Sequence, residues 1–562
     1  MRVAMRKRVA KAVAAVAAMV LACGTAPSAM AADSDQMWYI NDTGVRDAWD
    51  AGLTGKDIKT AVLDSPIVVD YPGFEGQDVT PRIAMAEGVD SCTSGVDGHW
   101  SVTLTRDDPV FHAGKTDGIV VNHGTEMAAL IVGNGRGYDG NPGIQGVAPD
   151  VSLRTYAVHV SQAGTIGDSS AYQCLAQDQL EAVSTSASVR DAVDQGVRVL
   201  SMSYVDDPVD DEDIPLFIYA LAHGVVMISG RDNVTTGGTD DMVGEPGENN
   251  YFPGVVTINA VDSQGAVAAR SYTNDGNVAI LSPGVNVPGH VFTSDRKLSE
   301  QGTGGTSMGA ALLNGYVALV MQKWPKATGN QVLQSLVRNT KENDSGEAKL
   351  DEHHVRGFGT VDLGKLLKTD PTQYPDVNPI LEQMVTRSEA HEETQGMYSD
   401  HSDWDRYATG TTDAFPTKIK VPKYASMAGD ELKRQQDAWA DVEQCQKDGG
   451  SDCMAKSATA TAPTYDELAS QVDALAADSV AGKLAAARKQ QAAEASQSEG
   501  VSRSDVEAAQ QSGNLEREAD GQSPRHGGLF WIVAIALVAV VVCVVAVLVF
   551  MKRARKDRTR NS

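Results

Sequence analysis

The feature that most constrains this chain is an alternation. Across residues 57–363, short β-branched apolar runs take turns with longer stretches of helical character. IKTAVLD (58–64), VSLRTYAV (151–158), GVRVLSMS (196–203), GVVMIS (224–229) and GVVTINAV (254–261) have the make-up of strands. GTEMAALIV, DQLEAVSTSASVRDAVDQ and IPLFIYALAH, which lie between them, have the make-up of helices. Strands that are apolar on both faces cannot leave either face in water. The alternation therefore predicts an α/β fold, a mostly parallel sheet with helices on both sides.

The two ends of the 562-residue chain are of another kind. Arg2, Arg6, Lys7, Arg8 and Lys11 precede an apolar run and then APSAMA, with an A-x-A site at Ala29 and Ala31. That is the layout of a secretory signal peptide over residues 1–31. VLAC offers a competing site with Cys23 lipidated, although Leu21 is bulky for it. Residues 529–551 carry no charge and are long enough to cross a bilayer as a helix. The tail that follows, KRARKDRTRNS, is basic and belongs in the cytoplasm by the positive-inside rule. The expectation is a single-pass protein of the cell membrane, extracytoplasmic between its two apolar ends.

A net charge of -26 argues against nucleic-acid partners, which require positive surface. Of six cysteines, Cys23 leaves with the signal and Cys543 lies in the span, so four face an oxidising compartment. The favoured pairing is Cys92 with Cys174 and Cys445 with Cys453, each within one segment. There is no CxxC, no HExxH and no acidic loop with calcium-ligand spacing, so no metal or other cofactor is expected. Beyond the α/β region, residues 370–453 are polar and show no alternation, and 463–522 are rich in Ala, Gln, Glu and Ser. The expected organisation is a signal peptide (1–31), one α/β domain (32–369), a polar, partly disordered extension and stalk (370–528), a membrane helix (529–551) and a tail (552–562).

In an open parallel sheet, functional groups collect at the carboxyl ends of the strands. Asp64 ends TAVLD, where a carboxylate after apolar residues needs a partner. His123 stands just before the helix opened by Gly124 and Thr125, and Ser307 stands at the mouth of the apolar run in GTGGTSMGAALLNGYVALVM. Singly these read as a turn carboxylate, a capping histidine and a helix-capping serine. Together they are the three members of a nucleophilic triad. A serine attacks a carbonyl when a histidine takes its proton and a carboxylate fixes that histidine's tautomer. Asp, His, Ser is one of the chain orders in which such triads occur.

AVLDS around Asp64, NHGTEMAALIVG around His123 and GGTSMGAAL around Ser307 resemble the signature blocks of the subtilisin-like serine proteases. GIQGVAPDVSLRTYAV, VRVLSMS and GVVMISGRDN continue the resemblance in between. It implies Ser307 as nucleophile, His123 as general base and then acid, and Asp64 as its orienter. It further implies Asn233 as oxyanion donor, and Ser203, Tyr204 and Val205 as the strand that pairs with a protein substrate. Pro66, Gly309 to Ala311, Val205 with Asp206, and the GRD before Asn233 depart from the family's usual residues, which implies an altered pocket, either narrow in specificity or in need of help to open. MWYINDTGVRDAWDAGLTGKDI resembles the lead-in of mycosins, the subtilisin-like proteases of type VII secretion. That resemblance implies limited cleavage of a secreted protein and association with a membrane secretion complex. Two alternatives stand beside it: a degenerate protease serving as a scaffold of such a complex, and a serine esterase.

Overall fold

Strand β1 (Lys59–Asp64) shows why a parallel sheet forms, since every residue after Lys59 is buried. Ala61 and Leu63 pack into one hydrophobic cluster and Val62 into another, as a two-residue repeat dictates. The sheet needs cover on both faces and has it. The computed structural model describes residues 37–85, 91–96, 100–112, 123–158, 185–203, 214–231, 252–268, 278–288, 303–351, 356–385 and 423–478. All of these belong to one compact unit, Met1–Leu484; the second unit, Ala485–Ser562, lies outside the described residues.

In chain order the remaining strands are β2 (Val79–Arg82), β3 (Ser91–Val96), β4 (Trp100–Thr105), β5 (Asn134–Arg136), β6 (Pro142–Gln145), β7 (Ser152–Ala157), β8 (Val199–Met202), β9 (Val226–Gly230), β10 (Val256–Val261), β11 (Ile280–Pro283), β12 (Val285–Val287) and β13 (Thr303–Gly304). Seven of them form the main sheet in the order β11-β10-β9-β8-β1-β7-β2, with every pairing parallel. The expected α/β architecture, a mostly parallel sheet, is therefore present. The chain builds one side of β1 with β2 and β7, then crosses to build the other with β8 onward. That reversal beside β1 opens a crevice at the carboxyl ends of the strands, the usual place for a site in such sheets. The pairs β3–β4, β5–β6 and β12–β13 are antiparallel and stand outside the main sheet.

The helices are α1 (Trp38–Asn41), α2 (Val45–Asp50), α3 (His123–Val132), α4 (Thr185–Asp194), α5 (Ile214–Ala222), α6 (Thr306–Lys323), α7 (Gly329–Arg338), α8 (Leu363–Lys368), α9 (Lys423–Lys447) and α10 (Tyr465–Asp478). On one face, α3 and α6 pack against Val62, Val199, Ile228 and Ile258. On the other, α4 and α5 pack against Ala61, Leu63, Leu200 and Met227. Helix α6 is buried from Met308 to Met321, which answers why that run is apolar on every side. It lies close enough that a Cβ added at Gly315 would meet Val147 Cγ2 at 2.2 Å. Its Asn314 amide donates to the Ala61 carbonyl (2.9 Å) and to Ser201 Oγ (3.1 Å), tying the helix to β1 and β8.

The lead-in is part of the same core. Trp38 Nε1 donates to the carbonyls of Val285 (3.0 Å) and Asn286 (3.1 Å). The Tyr39 hydroxyl donates to the Gln145 carbonyl (2.6 Å), and Tyr316 of α6 donates to the Tyr39 carbonyl (2.8 Å).

The boundary expected at residue 369 does not mark a change in packing. Val377 and Leu381, with Met427, Ala428 and Leu432 of α9 and Leu468 of α10, join the cluster built on α5. Buried Asp376 accepts hydrogen bonds from Thr328 Oγ1 (2.5 Å), Thr459 N (3.2 Å) and Thr459 Oγ1 (3.1 Å). Gln435 Oε1 accepts from Asn378 N (2.8 Å). Tyr465, within the expected stalk, lies under the Arg190 guanidinium (3.9 Å) and edge-on to Tyr219. The apolar positions here are few because each helix contributes a single stripe, and buried polar pairs complete the contact. A disulfide joins Cys445 to Cys453. The side chain of Cys92 and all of Cys174 fall outside the described residues, as do the segments expected as signal peptide, membrane helix and tail. Among the described residues, no helix is long and apolar enough to cross a membrane.

If residues 423–478 belong to the core, Leu432→Ala lowers the unfolding free energy by about 2–4 kcal/mol in urea titration. A solvated spacer would give a change within about 0.5 kcal/mol.

Candidate active site

Asp64 is the last residue of β1, its side chain 5% exposed, and His123 is the first residue of α3. The imidazole Nδ1 lies 2.9 Å from both carboxylate oxygens of Asp64. With Nδ1–H donated to the carboxylate, Nε2 is the nitrogen left as a base.

Several contacts set that distance. Ser65 N donates to Asp64 Oδ1 (2.7 Å), and the Ser65 hydroxyl donates to the same oxygen (3.2 Å). Gly124 N in turn donates to Ser65 Oγ (2.9 Å), and Val68 N donates to Thr125 Oγ1 (2.8 Å). The loop after β1 and the start of α3 are thereby stitched together. Gly124 makes the approach possible, since a Cβ there would fall 2.1 Å from the Ser65 carbonyl oxygen.

Ser307 is the second residue of α6, and the N-cap is Gly305, with no side-chain capping bond. The plain alternative of a helix-capping serine is thus not what the structure contains. The Ser307 hydroxyl donates to the Ser203 carbonyl (2.9 Å), and the Ser203 hydroxyl donates to the Ser307 carbonyl (3.1 Å). Ser203 directly follows β8, so this reciprocal pair fixes Ser307 at the carboxyl edge of the sheet. Gly230, at the end of β9, closes the other side. A Cβ there would lie 3.0 Å from Thr306 C and 3.1 Å from Ser307 N. The Thr306 hydroxyl donates to the Arg231 carbonyl.

Asp64, His123, Ser203 and Ser307 therefore all stand at the ends of neighbouring core elements on one rim. Asn233, Tyr204 and Val205 lie outside the described residues. Arg231, part of the GRD expected to alter the pocket, is buried within the fold with 1% exposure. Among the described residues, no group of three or more His, Cys, Asp or Glu side chains is placed to hold a metal ion.

The His123 imidazole is pulled in two directions. Burial disfavours its charged form, whereas the charge of Asp64, the hydrogen bond to it and the charge of Glu126 favour that form. The favourable effects win, and the ring titrates above its ordinary value.

The chain belongs to the subtilase family, whose pattern it matches over residues 55–359, more than half its length. It is similar to fervidolysin of Fervidobacterium pennivorans, with 27% identity covering 60% of this chain and 45% of that one. It is also similar to the minor extracellular protease Epr of Bacillus subtilis, with 28% identity covering 58% of this chain and 41% of that one. The chain thus spans less than half the length of these curated relatives. Among solved structures it is similar to the MycP3 protease from the type VII (ESX-3) secretion system, at 21% identity and a TM-score of 0.39, covering 62% of this chain and 90% of that one.

Two measurements check the site as built. By NMR, His123 should titrate with a midpoint above the ordinary imidazole value of about 6.5, and Asp64→Asn should lower that midpoint. Because the folded value is raised, the stability this group contributes is complete at pH values below its unfolded pKa. It is lost as pH rises through the folded one. In Gly124→Ala, the overlap with Ser65 should cost about 1–3 kcal/mol in urea unfolding and lower the His123 midpoint as the Asp64 contact loosens.

Proposed function

We propose that this chain is a serine endopeptidase acting on protein substrates outside the cytoplasm. Ser307 is the nucleophile, His123 the general base and then acid, and Asp64 the group that orients it. The observation that carries this reading is the Asp64–His123 contact at 2.9 Å on the rim that also holds Ser307. In the first step, Ser307 Oγ bonds to the scissile carbonyl carbon and its proton passes to His123 Nε2. The buried carboxylate of Asp64 supports the imidazolium that forms. Collapse of the tetrahedral intermediate expels the amine, protonated by His123, and leaves an acyl-enzyme that water cleaves by the same path reversed.

Asn233 and the Ser307 N–H are the donors to the intermediate's oxyanion, and the start of α6 adds partial positive charge there. Ser203, Tyr204 and Val205, the residues that follow β8, are the segment proposed to pair with an extended peptide, a role that favours a peptidase over a simple esterase. Residues 529–551 anchor the protein once in the cell membrane, with the basic tail in the cytoplasm and the catalytic domain outside; their uncharged apolar length supports this. The mycosin-like lead-in supports an association with a type VII secretion membrane complex and limited cleavage of a secreted protein.

One observation favours a second reading, a catalytically weak protease that serves the complex as a scaffold. The Ser307 hydroxyl donates to the Ser203 carbonyl, not to His123, so it must rotate before its proton can be taken. A fluorophosphonate probe on the purified chain separates the two readings. Labelling of the parent but not of Ser307→Ala is expected of the peptidase; no labelling of either supports the scaffold. In a labelled enzyme, Asn233→Ala should reduce peptide cleavage by about 100- to 1,000-fold, the effect of losing such a donor in a relative of this family.

A further inference from the structure

Glu126 is a buried ionisable group near this rim that the triad does not use. It lies in the first turn of α3, three residues after His123, and is 3% exposed. On a helix that spacing puts the two side chains on one face, with Cβ atoms about 5–6 Å apart. Among the described residues, Asp64 from β1 touches His123, and the charges of Asp64 and of Glu126 on its own helix both favour the imidazolium. Tyr71 shares the Glu126 environment as a neutral neighbour. Its hydroxyl accepts from Ile144 N (3.1 Å), and burial, then the neighbouring Tyr138 and Glu126, push its ionisation upward.

The position of His123 makes a second carboxylate useful. Helix α3 begins at that residue, and the first turn of a helix carries partial positive charge that opposes an imidazolium. Burial opposes it as well. An acid in a first turn complements the helix dipole whether it is exposed or buried, so burial beside the base is the feature that sets Glu126 apart. Glu126 is withdrawn from water on the face it shares with the base. We propose that Glu126 is a positioning residue for His123, its carboxylate stabilising the imidazolium as the Ser307 proton arrives. This inference rests on the triad proposed above.

The test is the pH dependence of fluorophosphonate labelling in the full chain. In that reaction Ser307 Oγ bonds to phosphorus, fluoride leaves and the hydroxyl proton passes to His123 Nε2. The rate falls on the acid side as His123 becomes protonated in advance. Glu126→Gln should move that limb about half a pH unit lower, and Glu126→Asp, which keeps the charge, should leave it within about 0.2 units of the parent. A limb that stays in place in Glu126→Gln overturns the proposal, whatever happens to the maximal rate, because a merely structural role changes rate and stability only. Carbonyl NMR of the parent gives a readout that needs no variant. Glu126 must be a carboxylate throughout the limb, and a neutral carboxyl there also overturns the proposal. Labelling with an unmoved limb removes Glu126 alone. No labelling of the parent at any pH removes the triad and this inference with it.

Discussion

A carboxylate withdrawn from water at the end of a parallel strand needs partners, and much of the local architecture follows from supplying them to Asp64. Ser65 donates through its backbone and its hydroxyl, and His123 donates through Nδ1. Those donors stay in place only if α3 starts against the loop that leaves β1. That closeness in turn leaves no room for a side chain at residue 124 unless the Ser65 loop shifts. One buried carboxylate thus ties together where a helix begins, which residue opens it and which imidazole nitrogen faces the strand.

The opposite wall of the site is held by packing rather than charge. Helix α6 is buried along nearly its whole length between α3 and the sheet, so its first turn cannot wander. The Ser203–Ser307 pair and the close pass of Gly230 fix that turn against the ends of β8 and β9. Because β1, β8 and β9 are parallel neighbours in the sheet, their carboxyl ends share one rim although their residues are far apart in sequence. The chemistry depends on topology first and on residue identity second.

Much of this was legible in the sequence. The continuous apolar runs that predicted strands correspond to β1, β7, β8, β9 and β10, because burial on both faces leaves an unmistakable composition. The edge strands β2, with Pro81, and β11, ending in Pro283, carry weak signals because an edge tolerates polar residues and proline. Asp64 and His123 could be paired from chain order and from their places beside core elements. The roles of Ser65 and Thr125 as stitches, and of Ser203 as the partner of Ser307, could not. Such bonds run to or through the backbone, and backbone groups are the same for every residue type. The packing of α9 and α10 was hidden for a related reason: Asp376, Asn378 and Gln435 are satisfied by contacts distant in sequence, so the segment looks merely polar.

The tie between the lead-in and α6 has a consequence for maturation. Tyr39 and Ile40 are wholly enclosed, and the Tyr39 carbonyl is the acceptor for the Tyr316 hydroxyl deep in the long helix. Loss of residues beyond Met37 would strip interior side chains and leave the Tyr316 hydroxyl only its longer contact, to Thr43 Oγ1 (3.3 Å). A cut past Met37 would therefore cost core packing and not only chain length.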